Sequence, residues 1–400
     1  MALLDTKLSN SVIECQVYMY FDYAAATPID KRVLMAMEPY FSDDFYNPSA
    51  AYSDARRVRA DYQAAKHRLA QAIGAKPAEI IMTAGATESI NLAINQSQVT
   101  RVKSQVLVTA IEHLAVLKAA QAVGAKILPV DESGRVNIED IKKAITNDTI
   151  LISVGYANNE IGTVQPIREI ANLVSEIRAN RFERGVKTPI YLHTDASQAA
   201  GHLDINVARL DVDMMTLNAG KCYGPKQVGC LYVRAGIELS PMVYGGGQEM
   251  GLRSGTENVV GTIGFATALE IAEKKRKSEA KRLEELRKDL EKFVISEIKE
   301  ISINGHKKYR LPNILNFSVA GLDAERAVFA LDQHGIQVAT GSACAANKSA
   351  RSHVLTAIGL DDKSADGSIR ISMGRGTTKS QIEKLKPIIK KVIENERKLS

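Results

Sequence analysis

The sequence predicts an α/β protein: a large domain with a mostly parallel central sheet and helices on both faces, then a smaller α+β C-terminal domain. Two observations carry this. Between residues 80 and 193, short apolar runs rich in β-branched residues alternate with segments of helical periodicity. That alternation marks a parallel sheet covered on both sides. After Gly264 the pattern changes to a long charged stretch followed by separate strands and helices. The large domain is therefore placed at 18–264, and the connecting helix with the small domain at 265–400, with the N-terminal segment free to pack on the small domain.

A short extension to Val17 precedes a strand at 18–21. Pro28 then opens a helix over 30–40, near a first turn where a missing N–H costs little. Ser53 is placed as the N-cap of a long helix ending near Gly74, with Val58, Tyr62, Ala65 and Leu69 on one face. Strands at 80–82, 106–109, 127–130, 149–156 and 190–193 alternate with helices at 87–95, 114–123, 138–145 and 167–178. The charged stretch 270–300 reads as a solvated connecting helix, because Glu and Lys recur at i,i+4 spacing. Beyond it come a strand at 314–319, a helix at 324–334, and strands at 336–339 and 368–372. Thr378 and Gln381 form a capping box for the last helix, and Pro387 inside that helix predicts a kink or a break.

Composition narrows the function classes. The 400 residues carry 52 basic and 46 acidic groups, a surplus of +6 that is small for this length. With no basic patch interleaved with aromatics, a stable nucleic-acid complex is not expected. The cysteines (Cys15, Cys222, Cys230, Cys344) show no C-x-x-C pair, which argues against a disulfide framework or zinc site and fits a reducing compartment. No run approaches 18 apolar residues, and residues 1–17 lack the apolar centre of a signal peptide, so a cytoplasmic protein without a membrane span is expected.

The stretch 193–226 holds the leading candidates for chemistry. Asp195 ends one apolar run, and Lys221 follows a second, Met-Met-Thr-Leu. Strand ends of a parallel sheet share one cleft, so a carboxylate and an amine meet there. Such a pair suits an aromatic nitrogen cofactor: the acid keeps a pyridine nitrogen protonated and the amine forms a Schiff base. A Walker-type loop is excluded, because Met215 and Cys222 stand where it needs Gly and Ser or Thr. His113 follows a strand and starts a helix, where it either caps the helix or stacks on a flat ring. Gly85, Ala86 and Thr87 lie at a helix N-terminus, which favours phosphate. Taken singly, a structural lysine, a strand-end cap and plain turn chemistry remain alternatives for these positions. Cys344, among small residues with Lys348 and Arg351 nearby, has the setting of a reactive thiolate, whereas Cys230 reads as core.

Together these segments make the chain resemble the cysteine desulfurases of the iron–sulfur-cluster-assembly and nitrogen-fixation type, fold-type-I pyridoxal-phosphate enzymes. The resemblance runs from Tyr18 to the C-terminus. It rests on FDYAAATP (21–28), YNPSA (46–50), TAGATESINLAI (83–94), EHLAVL (112–117), NNEIGTVQPI (158–167), HTDASQAAG (193–201), GKCYGPK (220–226), GGGQEMGLRSGTENV (245–259), GSAC (341–344) and SIRISMGR (368–375). It implies that Lys221 carries pyridoxal 5'-phosphate and later takes the substrate Cα proton, that Asp195 pairs with the pyridine N–H, and that His113 stacks on the ring and assists proton transfer. It also implies that Asn159 and Gln198 reach the ring hydroxyl, that Ala86, Thr87 and Asn218 meet the phosphate with Gly220 beside them at the cofactor site, and that Thr256 reaches the phosphate of a partner subunit in a homodimer. Arg370, with Asn159, would bind the carboxylate of L-cysteine, and Cys344 would take the sulfur as a persulfide while alanine leaves. A sulfur-acceptor protein, either an iron–sulfur scaffold or a sulfur relay, is implied as a partner. A selenocysteine lyase or other pyridoxal-phosphate enzyme of this fold, and a non-catalytic subunit, are the alternatives. The chain departs from the family at the cofactor lysine. Where the pattern is Ser-x-His-Lys it has Asn218-Ala219-Gly220-Lys221, which predicts weaker cofactor retention because an imidazole donor is missing. It also has Tyr52 where the family's NPSS-x-H pattern reads His, and it ends at Ser400 in the last helix, which puts docking to the general scaffold in question.

Overall fold

A computed structural model of the chain describes residues 18–95, 104–340 and 351–399. Cys15 and Cys344 therefore lie outside the described residues. The strands, in chain order, are β1 (Met19–Tyr20), β2 (Ile80–Thr83), β3 (Gln105–Thr109), β4 (Lys126–Leu128), β5 (Thr149–Ser153), β6 (Tyr191–Asp195) and β7 (Met214–Asn218). They continue with β8 (Gly229–Val233), β9 (Ile301–Ile303), β10 (Ile314–Val319), β11 (Ile336–Gln337), β12 (Ala339–Thr340) and β13 (Ser368–Ser372).

The central sheet has the order β2-β8-β7-β6-β5-β3-β4. Pairs β3–β4, β3–β5, β5–β6 and β6–β7 are parallel, while β8 runs against both of its neighbours. Every residue of β2, β5 and β8 is buried, as expected for near-continuous apolar strands covered on both faces. Helices Ser53–Ile73, Ile167–Glu183 and the first half of Val259–Glu297 pack over one face. Ala86–Ile94 and Leu114–Ala122 contribute to a second cluster with β3, β5 and β8.

A smaller antiparallel sheet, β12-β13-β10-β9, forms a separate core with the last helix, Lys379–Leu399. Met19 and Phe21 belong to that core, and β1 pairs in parallel with β11, so the N-terminal segment is built into the smaller unit. The helix Val259–Glu297 serves both cores: Val259 to Ala272 pack in the large one, and Leu283 to Val294 in the small one.

Several local readings are corrected. The predicted helix 30–40 is two, Lys31–Met37 and Pro39–Ser42. Pro39 has no N–H to continue the first, and Asp30, not Pro28, sets its start by accepting from Arg32 N–H. Ser53 is the first helical residue rather than the cap; Tyr52 holds the extended cap position and contributes no side-chain bond. Pro387 does not break the last helix, whose Leu385, Ile389, Val392 and Ile393 are buried in the small core. Packing along that face outweighs one lost backbone bond. The capping box is present: Thr378 N–H donates to Gln381 Oε1 at 2.9 Å, and Gln381 N–H to Thr378 Oγ1 at 3.2 Å.

Candidate active site

At the carboxyl ends of β5, β6 and β7 lies a cavity of about 230 Å³. Its walls include Ala86, Thr87, His113, Asn159, Asp195, Gln198, Asn218, Lys221 and Arg370, which are far apart in sequence and converge here. Gly220 is buried directly beside the cavity. Thr256 is exposed and does not line it.

Lys221 ends a single 3-10 turn, Ala219–Lys221, that follows β7. Its Nζ donates to the carbonyls of Ala24 (2.9 Å) and Ala25 (2.7 Å). Asp195 is the last residue of β6, and one carboxylate oxygen accepts from Ser197 N–H (2.9 Å) and Ser197 Oγ (2.6 Å). The same Asp thus caps a turn and faces the cavity. His113 caps the helix Leu114–Ala122: its Nδ1 accepts from Ala115 N–H at 3.1 Å, which places the proton of the neutral ring on Nε2. Desolvation lowers its pKa, Asp195 opposes that, and Lys221 adds to it, so a neutral imidazole faces the cavity mouth near pH 7.

The helix Ala86–Ile94 starts at Gly85 (φ 143°) with no capping side chain, so its first amides point their partial positive charge into the cavity. β8 passes directly beneath that turn. A Cβ on Gly229 would stand 2.8 Å from Gly85 Cα, so only glycine permits the approach. Asn218 Oδ1 accepts from Gly220 N–H (3.2 Å), and among the described residues its amide nitrogen has no protein acceptor. Gln198 Nε2 donates to Ala24 O at 2.9 Å.

Arg370, 1% exposed at the centre of β13, is not a free cation. It donates to Asp22 (2.7 Å) and to the Asn159 carbonyl (3.0 Å), while its Nε has no partner among the described residues. Sequence reasoning missed Asp22 as its counter-ion. It also missed two buried carboxyls that flank predicted residues, Glu112 and Glu160. Glu112 accepts from Thr109 Oγ1 and Gly155 N–H, and burial pushes its pKa to about 7. Glu160 accepts from the Ser352 hydroxyl, and burial likewise raises it to about 7. Their signal was available: each is an acid directly beside a strand-end polar residue, His113 or Asn159. Cys222 and Cys230 are buried, and desolvation pushes both thiols up to about 12, which suits a structural role. Among the described residues no cluster of three His, Cys, Asp or Glu is placed to hold a metal ion, and no helix is long and apolar enough to cross a membrane.

A mostly parallel sheet with Lys and Asp at adjacent strand ends, a His lining the same cavity and an uncapped helix start defines a pyridoxal-phosphate enzyme of fold type I. The chain belongs to the class-V aminotransferase family, whose model matches residues 19–385. It is 41% identical to proteins named cysteine desulfurase IscS from Dictyoglomus turgidum and from Clostridium botulinum, over 96% of this chain and 96% of each relative. Among solved structures, a NifS-like protein superposes with a TM-score of 0.85 at 33% identity, covering 94% of this chain and all of that one.

Proposed function

We infer that the protein is a pyridoxal-phosphate-dependent cysteine desulfurase that converts L-cysteine to L-alanine and leaves the sulfur as a persulfide on Cys344. The observation that carries this is the convergence of Lys221, Asp195 and His113 on one cavity floored by the uncapped start of Ala86–Ile94. The residues fit the cofactor: an amine to hold it, a carboxylate with an oxygen to spare for a ring nitrogen, and free amides for its phosphate. When bound, the pyridoxal group supplies an electron sink for a substrate carbon that gives up its proton.

The chain's own groups do the rest. Lys221 anchors the cofactor and receives the Cα proton, and neutral His113 holds a proton on Nε2 toward the cavity. Asn159 and Gln198 would hold the ring hydroxyl of a bound cofactor, and Ala86, Thr87 and Asn218 its phosphate, since all five line the cavity. Arg370 binds the substrate carboxylate with its position fixed by Asp22. Cys344 attacks the substrate sulfur as a thiolate. The carbon–sulfur bond breaks, a sulfur–sulfur bond forms, and the carbon gains a proton, so cysteine and a thiol become alanine and a persulfide.

The sulfur is proposed to pass to an acceptor protein in the cytoplasm, for iron–sulfur clusters or for thiolation, and the cysteine desulfurase relatives support the first of these. A homodimer is part of the reading, with Thr256 reaching the partner subunit's phosphate; the exposure of Thr256 supports it. The division into domains at 264/265 is likewise proposed, on the support of the two cores. Gly220 is the observation that favours a non-catalytic subunit as the second reading. Cys344→Ser decides between them. The variant is expected to keep the visible band of the bound cofactor and lose all alanine release from cysteine. Undiminished release sinks the persulfide mechanism. A wild-type protein that stays colourless with added pyridoxal phosphate favours the second reading.

A further inference from the structure

We propose that Thr27 is the positioning residue for Lys221, and that segment 24–27 forms a cradle holding both the backbone and the amine of that lysine. A three-residue turn such as Ala219–Lys221 has no stability of its own. Two residues on, Tyr223 sits at φ 68°, a left-handed conformation that a bulky side chain avoids. Something outside the turn must therefore hold it.

Thr27, 4% exposed, does so through three bonds. Its N–H donates to Gly220 O at 3.3 Å, its hydroxyl donates to the same carbonyl at 3.0 Å, and its hydroxyl oxygen accepts from Tyr223 N–H at 2.9 Å. One hydroxyl thus ties the residue before Lys221 to the residue two beyond it. The same segment takes the amine, through the carbonyls of Ala24 and Ala25. The cradle thus keeps the amine close to its place whenever it is not covalently engaged. Arg375 braces the far side: its guanidinium lies 4.0 Å over the Tyr223 ring, and its N–H donates to the Tyr223 hydroxyl at 2.6 Å. Thr27 does not line the cavity; it acts through Lys221, whose placement governs rate steeply.

The inference rests on the reading that Lys221 carries the pyridoxal group, and one experiment separates the two. The full-length chain is stripped of cofactor, given pyridoxal phosphate, trapped with borohydride at timed intervals, and the labelled lysine is mapped by mass. Thr27→Val keeps the shape but leaves Tyr223 N–H unsatisfied. It is expected to label Lys221 about tenfold more slowly and to lose a similar factor in kcat for alanine release, with KM within about twofold. Thr27→Ser, which restores the hydroxyl, is expected within about twofold of wild type on both readouts. Wild-type labelling rates in Thr27→Val, or a Ser variant as slow as the Val variant, overturn the inference alone. No label at Lys221 in the wild type overturns the cofactor assignment and this inference with it. If Thr27→Val is insoluble, Thr27→Ala against Thr27→Ser is decided by the same criteria.

Discussion

The residues legible in the sequence were those whose meaning is set by a strand end. Lys221, Asp195 and His113 each follow an apolar run, and parallel topology then brings such positions together without further information. What was not legible depends on contacts across the whole chain. Asp22 and Arg370 are 348 positions apart, and nothing local marks them as a pair. Gly220 lies between these cases: its departure from the family pattern was visible, but whether a side chain fits there was not. A Cβ at Gly220 would meet Asn218 Oδ1 and Lys226 Cγ at 3.6 Å, ordinary contact distance, so the backbone admits a side chain at its first carbon. Gly220→His is therefore expected to fold and to retain pyridoxal phosphate more tightly. One hydrogen bond to a charged group contributes roughly 1.5–3 kcal/mol, or about ten- to a hundredfold in the dissociation constant. Equilibrium dialysis checks it; equal retention in the two proteins would show that the phosphate does not depend on this position.

At the scale of elements, periodicity located most strands and helices; the errors came at their ends, and β8 and β9 were not placed at all. Residues 229–233 were read only as the setting of a core cysteine; once β8 is placed there its reversal follows, because residues 219–228 are too few for the crossover that a parallel neighbour requires. One element depends on a titrating group. Ser352 caps the helix His353–Ala357 by accepting from Leu355 N–H, and its hydroxyl donates to Glu160. Burial raises Glu160 from 4.5 to about 7. Between those values the folded state keeps a proton that the unfolded chain has released, so the contribution of Glu160 to stability is fully present below pH 4.5 and is lost as pH rises through 7. Glu112, raised by burial as well, adds to the same slope. Glu160→Gln removes one titration, so its melting temperature should fall less than that of wild type between pH 5 and pH 8. The difference expected is on the order of 1–3 kcal/mol. Identical slopes in paired thermal melts would mean that Glu160 is not protonated in the fold near neutrality.

At the scale of the whole molecule, the charge balance and cysteine spacing excluded function classes but could not say which surfaces are covered in solution. The structure supplies a candidate. Met35 (70% exposed), Phe41 and Phe45 (each 66%) and Tyr52 (52%) project from the helices and loop of residues 31–52. Phe45 stacks on Tyr46 with centroids 4.6 Å apart, and Tyr46 meets Tyr52 edge-on at 5.9 Å, so these rings form a patch rather than isolated exposures. Single apolar residues on a surface need no explanation, whereas a contiguous aromatic patch marks an interaction site. The proposed homodimer gives that patch an occupant, and it gives exposed Thr256 a phosphate to reach. Phe41→Asp with Phe45→Asp should then shift the protein from dimer to monomer in sedimentation velocity and weaken its hold on pyridoxal phosphate. Thr256→Val should weaken cofactor retention while leaving the sedimentation coefficient unchanged. A wild-type protein that sediments as a monomer, or a charged double variant that stays dimeric, would remove this patch from the interface. If Thr256→Val retained the cofactor fully, the phosphate contacts would have to come from Ala86, Thr87 and Asn218 of the same subunit, and each cavity would be complete without its partner.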